Sequence, residues 1–247
     1  MLTPSERERY DRQIMIAEIG QGGQEKLKGS RVVIAGTGGL GSPIAIYLTA
    51  AGIGMIRMID HDEVALSNLN RQILHGEEDV GRKKVDSAKA KLRNLNSTVE
   101  IEAIAETITE GNVSKLVDGC DVIVDAMDNL PTRYILNRCA IEKKIPFFHG
   151  AVNGFEGRAM TIIPGETACL RCMYRGLVPP AKFPVIGVAP AVIGSIQATE
   201  VIKYLAGIGK LLTNRLLIFD GLEVCFSEFR LNKNPNCDHC GSLAGKE

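Results

Sequence analysis

The sequence predicts an α/β protein: a Rossmann-like, doubly wound, mostly parallel sheet, extended by antiparallel strands toward the C-terminus. Three observations point there. Short apolar segments alternate with helical patterns over the first 150 residues, the rhythm of a parallel sheet with crossover helices. A glycine run, Gly36-Thr37-Gly38-Gly39-Leu40-Gly41, stands between the first apolar segment and the helix after it. Beyond residue 150, β-branched and aromatic stretches take over and read as antiparallel strands.

The elements follow in order. Residues 4–28 read as a charged helical arm with Ile14, Ile16 and Ile19 on its apolar side, and Gly22-Gly23 is expected to break it. Arg31 to Ala35 is a β-branched, buried strand. Ser42 to Ala51 is an apolar helix, and Met55 to Ile59 is a second strand that ends on Asp60. Strand, glycine turn, helix, strand and acid come in the order a nucleotide-binding βαβ unit needs. Gly36, Gly38, Gly39 and Gly41 let the backbone approach a phosphate. The helix start offers unpaired N–H groups and a positive dipole end, and Asp60 can accept from ribose hydroxyls.

The polar stretch 61–81 is too long for a plain turn, and such loops are usually functional. Residues 82–94 read as a helix, 99–104 as an alternating strand, 110–118 as a short helix and 121–126 as a buried strand. Pro131 opens a helix running to Lys144, as suits proline in a first turn, and 145–149 is a further strand. Ligands of such sheets sit beyond the strand C-termini. The glycine run, Asp60 and the segment 125–129 therefore share one crevice.

In the second part, 157–164 and 216–231 read as antiparallel strands. Between them lie a proline-rich loop, 177–190, and an apolar helix, 192–205. No linker or internal repeat divides the chain. It reads as one domain: an arm (1–28), a nucleotide-binding half (29–150) and a second half (151–247) that extends the sheet or packs on it.

Bulk properties bound the function. The 247 residues are 45% hydrophobic, enough for a real core. Twenty-nine basic and 29 acidic side chains cancel, which argues against nucleic acid held by bulk electrostatics. The sequence contains no apolar run long enough to span a membrane. The N-terminal residues are charged and lack a signal core, so the cytoplasm is the expected compartment.

Four of the seven cysteines form two Cys-x-x-Cys pairs, Cys169/Cys172 and Cys237/Cys240. In a cytosolic chain this pattern favours metal over disulfide. Four thiolates suit tetrahedral zinc, with an iron–sulfur cluster as the alternative. A closed four-sulfur site is structural and would staple the C-terminal segment to the middle of the chain. Cys120, Cys139 and Cys225 adjoin apolar elements and are expected to be buried and inert.

Several motifs then coincide: Arg9-Tyr10-Asp11-Arg12-Gln13, the glycine run, Asp60-His61-Asp62, and Ser67-Asn68-Leu69-Asn70-Arg71-Gln72. Gly81-Arg82-Lys83-Lys84-Val85, Asp128-Asn129 and the two cysteine pairs complete the set. In this order, from about residue 6 to residue 241, the chain resembles the ThiF/MoeB/HesA family, relatives of ubiquitin-activating E1 enzymes. The resemblance implies an ATP-dependent adenylyltransferase. Such an enzyme activates the C-terminal glycine carboxylate of a ubiquitin-like sulfur carrier ending in Gly-Gly. It forms an acyl-adenylate and pyrophosphate, for thiamine, molybdopterin or related biosynthesis. The resemblance also implies a homodimer and a structural Zn²⁺ on the four cysteines.

The residues fit that chemistry. A carboxylate is already ionised at neutral pH and needs no general base. The task is to hold ATP in line and to neutralise phosphate charge. Arg71 offers a fork and Lys84 a point charge for the polyphosphate. Asp128 suits a Mg²⁺ bridging phosphates. Asp60, Asp62, Ser67, Asn68, Gln72 and Asn129 complete the expected nucleotide site. By resemblance, Arg12 reaches the phosphates from the partner subunit.

Each assignment has a plainer rival. Arg71 can pair with Asp62 or Glu63, Lys84 can be solvated beside Lys83, and Asp128-Asn129 can be a helix cap. Arg12 can be a surface residue and Asn68 a turn former.

One departure matters. Many relatives carry a cysteine in the loop before the apolar helix, and here residues 176–188 contain none. The enzyme is therefore expected to stop at the adenylate. No rhodanese-like segment follows the last cysteine pair in this sequence. Carrier specificity is expected in 177–188 and on the C-terminal strands. The competing readings are a relative that adenylates and cyclises a tRNA-bound carboxylate, a nicotinamide-dependent dehydrogenase, and a non-enzymatic scaffold for a ubiquitin-like partner. The dehydrogenase reading leaves Arg71, Lys84 and the four cysteines without a joint role.

Overall fold

A computed structural model describes residues 1–174 and 183–241. The arm comprises α1 (Pro4–Arg9), α2 (Asp11–Ile14) and α3 (Gly20–Gly29). β1 (Arg31–Ala35), α4 (Gly41–Ala51) and β2 (Met55–Ile59) form the first βαβ unit. After the polar loop come α5 (Lys84–Leu95), β3 (Glu100–Ile104), α6 (Val113–Leu116), β4 (Val122–Asp125) and α7 (Leu130–Lys143). The second half holds β5 (Phe147–Asn153), β6 (Glu156–Ile162), α8 (Leu170–Met173), α9 (Val188–Ala206), β7 (Arg215–Asp220) and β8 (Cys225–Arg230).

The strands form one eight-stranded sheet in the order β3-β2-β1-β4-β5-β6-β7-β8. Pairing is parallel from β3 through β5 and antiparallel from β5 through β8. The chain leaves β1 toward β2 and returns on its other side as β4, so β1/β4 is the switch point where a ligand crevice opens.

Side-chain alternation splits the core into two layers. Val32, Ile34 and Val124 face α4 and α9, packing with Ile44, Leu48, Ile193 and Val201. Val33, Ala35 and Ile123 face the other way, against Leu136 of α7 and the four-cysteine region. None of the described helices is long and apolar enough to cross a membrane.

Several boundaries differ from the sequence reading. Gly22 and Gly23 do not break the arm; they lie inside α3, and the break falls at residues 15–19. A Cβ on Gly23 would stand 3.8 Å from Ala206 Cβ, so the small residue lets α3 lie close to α9. α9 begins at Val188 rather than 192, with Pro190 in its first turn, where a missing N–H costs nothing. β5 runs on to Asn153 because it pairs with β6 past the parallel region. α6 is one turn, shorter than 110–118. The 216–231 segment is a hairpin of two strands. Cys120 and Cys139 are buried, but Cys225 is exposed, because every residue of the edge strand β8 is exposed. Of the cysteine-free loop 176–188, residues up to 182 lie outside the described ones.

Candidate nucleotide site and metal centre

The glycine run turns directly above β1. Gly36 takes φ +97°, and a Cβ on it would lie 2.6 Å from the Ala126 carbonyl oxygen. A Cβ on Gly41 would lie 2.1 Å from the Gly36 carbonyl oxygen. Only glycine fits either position. The turn is held from below by Asp60. Its Oδ2 accepts from Thr37 N–H (2.8 Å) and Thr37 Oγ1 (3.0 Å), and its Oδ1 accepts from Asp62 N–H (2.9 Å). A carboxylate has about four lone-pair sites, so Asp60 keeps acceptor capacity for hydroxyls.

The polar loop folds back over the turn. A Cβ on Gly39 would stand 3.6 Å from Arg71 Cγ, and one on Gly38 would stand 3.5 Å from Gln72 Nε2. Gln72 is buried, and its Oε1 has no partner among the described residues. Ser67 and Asn68 lie in a 3-10 turn, Leu66–Asn68. The Asn68 side chain accepts from Ala65 N–H, and its carbonyl accepts from the N–H groups of Arg71 and Gln72. Arg71 pairs with no acid among the described residues. Its Nη1 donates to the Ser67 carbonyl (3.0 Å) and to Asn70 Oδ1 (2.9 Å).

Lys84, the first residue of α5, is buried rather than solvated, and its Nζ lies 2.8 Å from Asp62 Oδ2. Partial burial works to raise the Asp62 carboxyl, but the Lys84 hydrogen bond prevails and holds it below the ordinary range. Asp128 is exposed beyond the C-terminal end of β4, and Asn129 Nδ2 touches its Oδ1 at 3.3 Å. Asn129 is the N-cap of α7, its Oδ1 accepting from Thr132 N–H. Arg12 is exposed on α2. Its neighbours anchor that turn: Asn96 Nδ2 donates to Tyr10 Oη, and Gln13 Nε2 donates to Gln24 Oε1. The described residues thus gather the glycine run, Asp60, Asp62, Ser67, Asn68, Arg71, Gln72, Lys84, Asp128 and Asn129 around the switch point. Arg12 stands apart on the arm.

Sequence reasoning passed over His75. Its Nε2 lies 3.1 Å from the Thr37 carbonyl, and its Nδ1 lies 2.9 Å from Ser87 Oγ. Burial pushes this imidazole down. The neutral ring therefore donates from Nε2 to the glycine turn and accepts at Nδ1 from α5. A lone histidine in a polar loop carries no period or motif, so no signal in the sequence marked it.

On the opposite face, the four cysteine Sγ atoms of the two pairs lie within 4.8 Å of one another, all buried. Cys169 lies 3.9 Å from Cys172 and 3.7 Å from Cys237, and Cys172 lies 3.5 Å from Cys240. Tetrahedral zinc with Zn–S of about 2.3 Å separates sulfurs by about 3.8 Å, so the set fits. Without a cation, burial pushes the Cys169 thiol up to about 12. Asn137 of α7 braces both pairs, accepting from Leu170 N–H at 3.0 Å and meeting His239 Nδ1 at 2.8 Å. Arg171 pairs with Asp238 at 3.0 Å and lies over the Tyr134 ring. His239 thus braces the knuckle and is not needed as a ligand.

The profile of the ThiF family matches residues 10–239. The chain belongs to the ThiF family. It is 42% identical over 246 residues to the SAMP-activating enzyme E1 of Haloferax volcanii, covering 97% of this chain and 91% of that protein. It is 40% identical over 250 residues to the sulfur carrier protein adenylyltransferase of Thermus thermophilus, covering 97% and 92%. With the adenylyltransferase and sulfurtransferase MOCS3 of Mus musculus it shares 41% over 240 residues, 94% of this chain but 52% of that protein. Among solved structures, E. coli MccB with ATP superposes with a TM-score of 0.86 at 25% identity, covering 94% of this chain and 74% of that one.

Proposed function

We propose that this ThiF-family protein is an ATP-dependent adenylyltransferase. It activates the C-terminal glycine carboxylate of a ubiquitin-like sulfur carrier. One observation carries the reading: two cations and an exposed carboxylate lie on the loops that border the glycine turn. Arg71 lies against Gly39, Lys84 lies beside the Asp60–Asp62 acids, and Asp128 lies on the loop that touches Gly36. The names of the Haloferax and Thermus relatives support the substrate class.

The chemistry balances with these groups. An oxygen of the carrier's carboxylate attacks the α-phosphorus, the bond to the β-phosphate oxygen breaks, and its electron pair leaves with pyrophosphate. No proton moves, so no base is needed. The helix start after Gly41 and the glycine-turn N–H groups face the phosphates. Lys84 spends one of its three N–H donors on Asp62 and keeps two for phosphate oxygen. Arg71, already fixed by Ser67 and Asn70, is preorganised to neutralise charge that develops on the leaving group. Asp60 takes the ribose. Asp128, engaged only by Asn129 among the described residues, would offer a hard oxygen donor to Mg²⁺ bound with ATP.

Zn²⁺ on the four cysteines is structural. The enzyme stops at the adenylate, since loop 176–188 has no cysteine, and sulfur arrives from another protein or from sulfide. The carrier docks on the β7–β8 side, where Phe226 and Phe229 are exposed on the edge strand. The working unit is a homodimer in the cytoplasm, serving thiamine, molybdopterin or a related sulfur pathway. The test is exchange of labelled pyrophosphate into ATP with a panel of Gly-Gly-ended carriers. Exchange that requires one of them is the expected result; no exchange with any, in metal-replete buffer, refutes the reading.

A further inference from the structure

Beneath Asp128 lies a buried charged unit that neither the motif reading nor the proposed mechanism uses. Asp125, the last residue of β4, is fully buried, and so is His149, its register partner on β5. His149 Nδ1 lies 2.6 Å from Asp125 Oδ2, and Arg133 Nε of α7 lies 3.4 Å from the same oxygen, an ion pair without a hydrogen bond. Burial pushes the imidazole down. The neutral ring places its one N–H on Nδ1, toward the carboxylate. Its Nε2 has no partner among the described residues.

Replacing such a buried ionic cluster with apolar side chains is often neutral or stabilising. Stability alone therefore does not account for it. Its contacts point elsewhere. Asp125 Oδ1 accepts from Met127 N–H at 3.0 Å. Arg133 Nη2 donates to the Met127 carbonyl, and also to the Gly150 carbonyl at 2.9 Å. Both backbone groups of the residue immediately before Asp128 are thus fixed by one ion pair. Ala126, one residue earlier, bonds to Ala35 and presses on Gly36. From the opposite face, Gln197 of α9 donates to the Asp125 and Phe148 carbonyls.

We propose that Arg133 and Asp125, oriented by His149, are positioning residues that hold the Asp128 carboxylate at the distance from the glycine turn that Mg·ATP requires. The inference rests on the metal role given to Asp128. Lys cannot substitute for Arg133, because Nε faces Asp125 while Nη2 serves the two carbonyls, and a single ammonium on a shorter stem cannot stand at both places.

The test is binding of ATP to the full chain by calorimetry across a Mg²⁺ series, with zinc content and melting temperature measured in parallel. Arg133→Lys should raise the half-saturating Mg²⁺ by about tenfold, the scale of losing an outer-shell partner of a metal ligand. ATP affinity at saturating Mg²⁺ and zinc content should be unchanged. A folded R133K with wild-type Mg²⁺ dependence overturns the proposal. If R133K does not accumulate folded, His149→Leu removes one donor to Asp125 and leaves Arg133 in place. It should raise the Mg²⁺ requirement severalfold, and an unchanged requirement overturns the proposal equally. Asp128→Asn separates the layers. If D128N shifts the Mg²⁺ dependence and neither other variant does, the positioning role fails alone. If D128N leaves it unchanged, the metal role of Asp128 fails and the inference falls with it.

Discussion

Arg71 and Lys84 carry the same charge but are held differently, and this sets the cost of replacing each. Arg71 is fixed by two local acceptors, Ser67 and Asn70, with its remaining N–H donors uncommitted to any acid among the described residues. Arg71→Ala should lower carrier-dependent pyrophosphate exchange by about 10²- to 10³-fold, as loss of a preorganised transition-state donor does. Melting temperature should barely change, because the side chain supports no buried partner. Equal exchange by R71A and wild type would remove Arg71 from the phosphate site. Asp79 is the opposite case, a fully buried acid with a structural task. Burial would raise its carboxyl, but Lys91 and the Gly76 N–H hold it at about 2. A depressed carboxyl stabilises the fold above its unfolded value of about 4 and loses that contribution as pH falls toward its folded value. Stability should therefore decline between about pH 4 and pH 2. Asp79→Asn should be less stable at pH 7 and should flatten that acid limb in a series of thermal melts. An unchanged limb would show that other acids set it.

At the scale of elements, α7 and the cysteine knuckle form one mechanical piece. Asn129 caps the helix start beside Asp128, and Asn137, two turns on, grips both cysteine pairs. Cys237→Ser should abolish zinc retention, read by metal analysis. It should lower the melting temperature by about 5–15 °C, since a structural zinc contributes several kcal/mol to folding. Full zinc occupancy in C237S would mean that the four thiolates are not the ligand set. The elements also show where patterning is legible. β1 and β4 are apolar runs closed by glycine or acid, as is β2 but for Arg57, and a strand buried on both faces leaves that signature. The start of α9 was hidden because Val188-Ala189-Pro190 reads as loop, yet a first turn has no N–H bonds for proline to lose. Gly22-Gly23 read as a break because its packing against α9, far along the chain, is invisible locally.

For the whole molecule, the arm poses the geometric question. Tyr10 and Gln13 pin α2 to the α3–α4–α5 side, and Arg12 between them is exposed. If Arg12 serves the partner's phosphates, two defective chains should complement. A mixture of Arg12→Ala and Arg71→Ala protomers forms some heterodimers with one intact site. After subunit exchange, pyrophosphate exchange should recover to about a quarter of wild type for random C2 pairing. No recovery, with heterodimers verified by mass, would place Arg12 outside the site.

The sequence by itself determined the βαβ order, the glycine turn, the acid after β2 and the two cysteine pairs. Those features are local: each depends on side-chain size, charge or spacing within a few residues. Only the tertiary structure decided the pairings. It set Lys84 against Asp62, Arg71 against its own loop, His75 under the glycine turn, and the Asp125–His149–Arg133 unit beneath Asp128. It also left Cys225 exposed on an edge strand. Such contacts join residues far apart in the chain. Their energies depend on burial and on which groups the sheet register brings into line, and neither is written in any one segment.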